Sequence, residues 1–216
     1  MLPELNNQID LFEILYKIDK ELAEKIKQRP CPYCGSALHT ANYNRKPRGV
    51  NASIPDEFLR QQSLCCSNED CRKRVQPQSV RFMGRRVYWM CVILVVMALR
   101  QNRPDGYAAN KLIKMYGCDK KTLKRWIEYF QQTFPSTSQW KKLRGKIDAS
   151  IDNNSLPGDV VYYFINRADS PQNGLIQCLL FFQVDFDHDK YNRYISRRTC
   201  LFINRFLSCT MPPLFD

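Results

Sequence analysis

The residues best suited to chemistry in this sequence are cysteines, and their spacing sorts them into two close pairs. Cys31-Pro32-Tyr33-Cys34-Gly35 is a knuckle: two thiols near enough to share one ion, then a glycine that permits a tight turn with backbone amides aimed at sulfur. After a gap of about thirty residues, Cys65-Cys66-Ser67-Asn68-Glu69-Asp70-Cys71 supplies a second pair. Together they predict a closed tetrahedral site with Cys31, Cys34, Cys66 and Cys71 as ligands. Spacing alone leaves the choice between Cys65 and Cys66 open, because neighbours on a strand point to opposite faces. Cys66 is favoured, with Cys65 as a small core residue. His39 is the other candidate ligand and is read as a surface histidine, since four thiols are at hand. The bland alternative is a set of buried structural cysteines. A closed site has no open coordination position, so the Zn²⁺ expected here is structural: it contributes folding energy and does not activate water.

A second constellation runs from Leu112 to Ile127. Gly117 stands where a turn needs positive φ, after the apolar Leu112, Ile113 and Tyr116 and before Cys118, Leu123 and Trp126. Asp119 is a suitable N-cap for the second helix, and Asp105 for a first helix over about 106–116. The second helix turns Lys120, Lys121, Thr122, Lys124 and Arg125 to solvent, with Leu123, Trp126 and Ile127 inward. Cations and a hydroxyl on one face suit the major groove of duplex DNA. The alternative is a plain helical hairpin with a solvated basic face.

The placement of charge favours the first reading. The net charge of +12 is confined to the middle of the chain: residues 71–146 hold 18 Lys/Arg against 3 Asp/Glu, while residues 1–70 hold 9 against 10 and residues 147–216 hold 6 against 8. A merely soluble surface would mix the signs, so a polyanionic partner is expected. Phosphate contacts are expected from Arg72, Lys73 and Arg74 beside the second knuckle, from Lys111 and Lys114, and from Arg81, Arg85, Arg86, Lys141, Lys142 and Arg144.

Enzyme readings are weaker. Asp148, Asp152 and Asp159 lie near one another, and Asp185, Asp187, His188 and Asp189 form an acidic cluster able to bind a metal, but neither has the widely separated strand-borne carboxylates of a two-metal site. His39 and His188 are the only histidines, leaving few candidates for nucleophilic catalysis. No catalytic residues are expected.

The elements that must position these groups follow from periodicity. Leu11, Leu15, Ile18, Leu22 and Ile26 stripe an amphipathic helix within residues 1–30, which Pro30 closes. The stripe lasts barely three heptads, so packing on the chain is favoured over a coiled-coil homodimer. Residues 31–82 read as a loop-rich metal module with short strands beside the cysteines, interrupted by the irregular basic stretch Arg45-Lys46-Pro47-Arg48-Gly49. Residues 83–134 read as helical, residues 135–146 as a basic linker with a Ser/Thr stretch, and residues 147–216 as a region of unassigned role with turns at Pro157-Gly158 and Pro171-Gln172-Asn173-Gly174. The apolar run Val87–Leu99 spans roughly 20 Å as a helix against roughly 30 Å of hydrocarbon, so a buried core helix is expected and no membrane partner. The fold class expected is mainly α with a small β zinc ribbon, α+β, around a helix-turn-helix core. The start of the sequence lacks the marks of a secretory signal, and a reducing, cytoplasmic and nucleoid-associated setting is expected.

The cysteine module resembles the zinc ribbons of transposase-related proteins over about forty residues. The segment 112–127 resembles the helix-turn-helix of transposases and resolvase-type proteins, whose turn often reads Gly-Val-Ser and whose second helix often ends Arg-Trp, as Arg125-Trp126 does here. Cys118 replaces the valine, Asp119 the serine, and Ile113 a usual small alanine. Over residues 31–130 the pairing resembles small DNA-binding proteins of bacterial mobile elements. That resemblance implies double-stranded DNA as partner, with a transposase or other mobile-element protein, in end recognition, regulation or assembly. The competing readings are an adaptor whose zinc lobe binds protein or RNA, and a metal-dependent nuclease.

Overall fold

The apolar stripe of the N-terminal segment becomes α1, Ile9–Lys27, which buries Leu11, Phe12, Leu15 and Ile18. Its exposed face carries the Lys17–Glu13 ion pair at 2.5 Å, spaced one turn apart. The computed structural model describes Leu5 and residues 9–51, 53–101 and 107–183, all within one compact unit spanning Met1–Val184. Asp105 and the cluster Asp185, Asp187, His188 and Asp189 lie outside the described residues.

Two small antiparallel sheets follow. β1 (Leu38–Thr40) pairs with β4 (Leu64–Cys66), and β4 with β5 (Arg74–Val75), giving the order β1-β4-β5. β2 (Tyr43–Asn44) pairs with β3 (Arg60–Gln61) in a second, two-stranded sheet. These strands are short because their core is small: Cys31, Leu38, Leu64 and Cys66 form its buried centre, with Ile26 of α1, Cys71 and Val75 packed against it. The end of α1 is therefore part of the cysteine lobe. The basic loop 45–49 is irregular, as expected, but firmly held. Arg48 bonds through its amide to Val87 O at 2.7 Å and accepts from the Trp89 amide at 3.3 Å. Gly49, at φ +98°, sits so close to the next helix that a Cβ there would lie 2.7 Å from Val92 Cγ1.

The apolar run forms α2, Met90–Gln101, and Met90 to Ala98 are all buried. An all-round apolar helix must be covered on every side. α3 (Tyr107–Tyr116), α4 (Lys120–Glu128), α6 (Gly158–Ile165) and α7 (Pro171–Phe181) supply that cover. The fold is α+β with a small antiparallel sheet, and among the described residues no helix is long and apolar enough to cross a membrane.

Two stretches differ from expectation. The expected linker contains α5, Ser138–Arg144, capped by the Thr137 side chain accepting from the Trp140 amide at 3.2 Å. Trp140 and Leu143, which lie i and i+3 on one face, bury there, and the Trp140 indole donates to Asn153 Oδ1 at 2.8 Å. The Pro157-Gly158 and Pro171 turns are helix starts. Ser170 caps α7 by accepting from the Asn173 amide at 3.2 Å, and Pro171 occupies the first helical position, where a missing N–H costs no hydrogen bond.

Candidate metal centre and nucleic-acid interface

The two knuckles are built alike. In the first, the Cys31 amide bonds Ser36 O at 2.8 Å and the Gly35 amide bonds Cys31 O at 2.9 Å, with Gly35 at φ +79°. In the second, the Cys66 amide bonds Lys73 O at 3.0 Å, and the Cys71 and Arg72 amides bond Asn68 O at 3.1 and 2.9 Å. Arg72, directly after Cys71, takes the left-handed conformation at φ +44° that Gly35 takes after Cys34. The Ser67 amide bonds Ala37 O at 2.9 Å and joins the two knuckles.

This framework gathers Cys31, Cys34, Cys66 and Cys71, whose sulfurs all lie within 4.8 Å of one another. Cys34 and Cys66 Sγ are 3.3 Å apart, and Cys31 and Cys71 Sγ 4.0 Å. A disulfide would require about 2.05 Å. A tetrahedral ion with bonds of about 2.3 Å to sulfur sets its ligands about 3.8 Å apart, inside the observed spread. Four thiolates this close cannot coexist without a cation or protons between them. Burial pushes the Cys66 thiol up to about 12, whereas hydrogen bonds from the amide and hydroxyl of Ser36 hold Cys34 down to about 6. The donor set and spacing fit a metal ion held by four sulfurs.

β4 resolves the adjacent pair by its alternation. Cys66 pairs with Leu38 and points into the buried centre, while Cys65 pairs with His39 and turns the other way. Its thiol, half-buried rather than in the core, donates to Arg72 O at 3.5 Å. His39 is exposed and outside the sulfur cluster.

The helical constellation is assembled around Tyr88. Its hydroxyl donates to Gly117 O at 3.1 Å, and its ring meets Trp126 edge-on at 5.0 Å. The Gly117 amide bonds Ile113 O at 2.9 Å, Gly117 has φ +58°, and Cys118 is fully buried. Asp119 Oδ1 then accepts from the Thr122 amide at 2.6 Å and caps α4, a bond that holds its carboxyl below the usual range. Leu112, Tyr116, Leu123 and Trp126 are buried, and Ile113 and Ile127 are half-buried. Lys111, Lys114, Lys120, Lys121, Lys124 and Arg125 are exposed and Thr122 is half-buried. Lys124 approaches Glu128 at 3.8 Å across one turn.

The remaining expected phosphate contacts divide. Arg81 is no surface cation: it is fully buried and ion-pairs with Asp19 at 2.7 Å. Its guanidinium also donates to Phe58 O and, at 2.7 Å, to Arg60 O. A charge is tolerated in a core when it is paired and hydrogen-bonded, and here each of the three guanidinium nitrogens has an acceptor. Asp19 accepts in addition from Ser79 Oγ at 2.5 Å and the Val80 amide at 2.7 Å. Sequence reasoning missed Asp19, although an acid four residues after Leu15 on the apolar stripe signals a buried partner. Arg86 stacks on Tyr129 at 4.0 Å and Lys73 on Tyr33 at 4.5 Å. Arg74 donates to Ala41 O at 3.2 Å and Arg72 faces Glu69 at 3.4 Å. Arg144 donates to Asp148 O and Ala149 O at 2.7 and 2.6 Å. Arg85, Lys141 and Lys142 are exposed.

The acidic trio makes local hydrogen bonds: Asp148 accepts from Ser150, Asp152 from Asn154, and Asp159 from Ser155. Among the described residues the trio is not gathered as a metal-holding group. The chain matches no protein-family model, no curated protein and no solved structure.

Proposed function

We propose that this chain is a zinc-stabilised, helix-turn-helix protein that binds duplex DNA, as a transposition-associated or regulatory factor of a mobile element. One observation carries the reading: α4 buries Leu123 and Trp126 on one side and leaves Lys120, Lys121, Lys124 and Arg125 in solvent on the other. A short helix with a locked inner face and a cationic outer face suits insertion into a major groove, where its first residues meet base edges. The four sulfurs would hold Zn²⁺, the tetrahedral ion that such a donor set favours, and the ion would supply rigidity to the cysteine lobe. Tyr88, two residues before α2, holds the turn that leads into α4.

The test is selection of a preferred duplex from a random pool with the full chain, followed by binding measurements at fixed salt. Lys124→Ala and Arg125→Ala should each lose about 1–3 kcal/mol, concentrated at one base position. Unchanged affinity in both variants overturns the groove-reading model. Agreement of the selected sequence with the ends of an element adjoining the gene supports the mobile-element role, and a target unrelated to such ends argues against it.

A further inference from the structure

We propose that the loop 45–48 is a second duplex-DNA contact, in which Arg48 and Lys46 grip backbone phosphate beside the turn that enters α4. The inference deepens the DNA-binding reading and rests on it.

The loop's three cations have separate fates. Arg45 is spent inside the molecule: it donates to Gly84 O at 2.9 Å and Arg86 O at 2.6 Å and stacks over Phe82 at 4.5 Å. Those bonds clamp the loop to the segment before α2. Lys46 and Arg48 are left exposed. Arg48 is held on both sides of its own Cα by the bonds to Val87 and Trp89, and Gly49 presses the chain against Val92. The backbone under these two cations is therefore fixed rather than a floppy surface loop.

The position of that backbone gives it meaning. Arg48 lies opposite Tyr88 in an isolated β-bridge, which sets the two residues side by side. The Tyr88 hydroxyl donates to Gly117 O, the turn residue two before the α4 cap. The backbone of Arg48 is thus fixed beside the tyrosine that holds the turn from which Lys120 and Lys121 emerge. Guanidinium has five donors in a fixed fork that suits a phosphate. Asp119, the acid that caps α4, is already engaged by the Thr122 amide. A cation held rigidly beside a groove-reading helix sets its register on the backbone without reading sequence.

The full-length protein is titrated with its selected duplex and with an unrelated duplex over a range of salt. For each phosphate that is no longer gripped, the slope of log affinity on log salt should shrink by about 0.9, which at 0.1 M salt corresponds to about an eightfold fall in affinity. Arg48→Gln and Lys46→Gln should each show this, equally on both duplexes, and Arg48→Lys should restore most of the slope. Tyr88→Phe, which keeps Arg48 but removes the hydroxyl that holds Gly117 O, should weaken binding with the slope unchanged. If either glutamine variant of Arg48 or Lys46 binds with unaltered slope while Lys124→Ala weakens binding, the loop does not grip phosphate and the α4 reading stands. If the unaltered protein binds no duplex, both fail.

Discussion

Asp19 and Arg81, 62 positions apart in the chain, meet in the interior at 2.7 Å with no exposed side-chain surface on either. Through them α1 is joined to the segment that leads into α2 and to the carbonyls of Phe58 and Arg60.

Breaking this pair on one side should be severe. Asp19→Ala or Arg81→Ala leaves an uncompensated buried charge, with an expected cost of about 3–5 kcal/mol in denaturant unfolding. The double variant Asp19→Leu/Arg81→Met should cost clearly less than the sum of the singles. Additive losses would mean that the two groups are not coupled.

The metal site makes a distinction between neighbours. The protein should hold one ion per chain by elemental analysis, and Cys66→Ser should lose it while Cys65→Ser retains it, since β4 turns Cys65 away from the cluster. Chelation should then unfold the cysteine lobe, because a structural ion's binding free energy is folding free energy. Equal metal loss from both serine variants would refute the assignment.

Two glycines should respond unequally to alanine. At Gly117 nothing lies within 4 Å of an added Cβ, so Gly117→Ala should cost about 1–2 kcal/mol of backbone strain alone, and Gly117→Asn less. Gly49→Ala adds to similar strain an overlap with Val92, for a further cost of about 1–3 kcal/mol. Thermal unfolding that ranks Gly117→Ala below Gly49→Ala in stability would contradict this packing.

Acid should loosen α4 from its start. The Asp119 carboxyl is held below its ordinary value of 3.8 by the Thr122 amide, so its folded form binds protons more weakly than its unfolded form. Its contribution is complete above that ordinary value and is lost as pH falls through the lower folded value. The Thr122 amide resonance should titrate in that acid window, and Asp119→Asn, which preserves a cap but removes the charge, should abolish the titration. A Thr122 amide insensitive to acid in the unaltered protein would exclude the cap.

Local pattern carried much of this protein. The cysteine spacing designated the four sulfurs that the structure places together, because a knuckle is made within about five residues of chain and needs little from elsewhere. The α3–turn–α4 segment was equally legible: glycine, cap and apolar positions act at helical spacing on their own neighbours. The run Val87–Leu99 announced a buried helix by composition, although the helix itself begins at Met90 and Val87 is exposed. What required the tertiary structure were contacts between residues far apart in sequence. Arg81 and Arg85 are both arginines in the same basic stretch, yet Arg81 is buried only because Asp19 and two carbonyls converge on it. Trp140 gave no linker because Asn153 and the aromatic cluster around Phe134 receive it, turning a polar stretch into α5. Periodicity records which face of a segment is apolar, but the fate of a single charge depends on the partner that long-range folding brings to it.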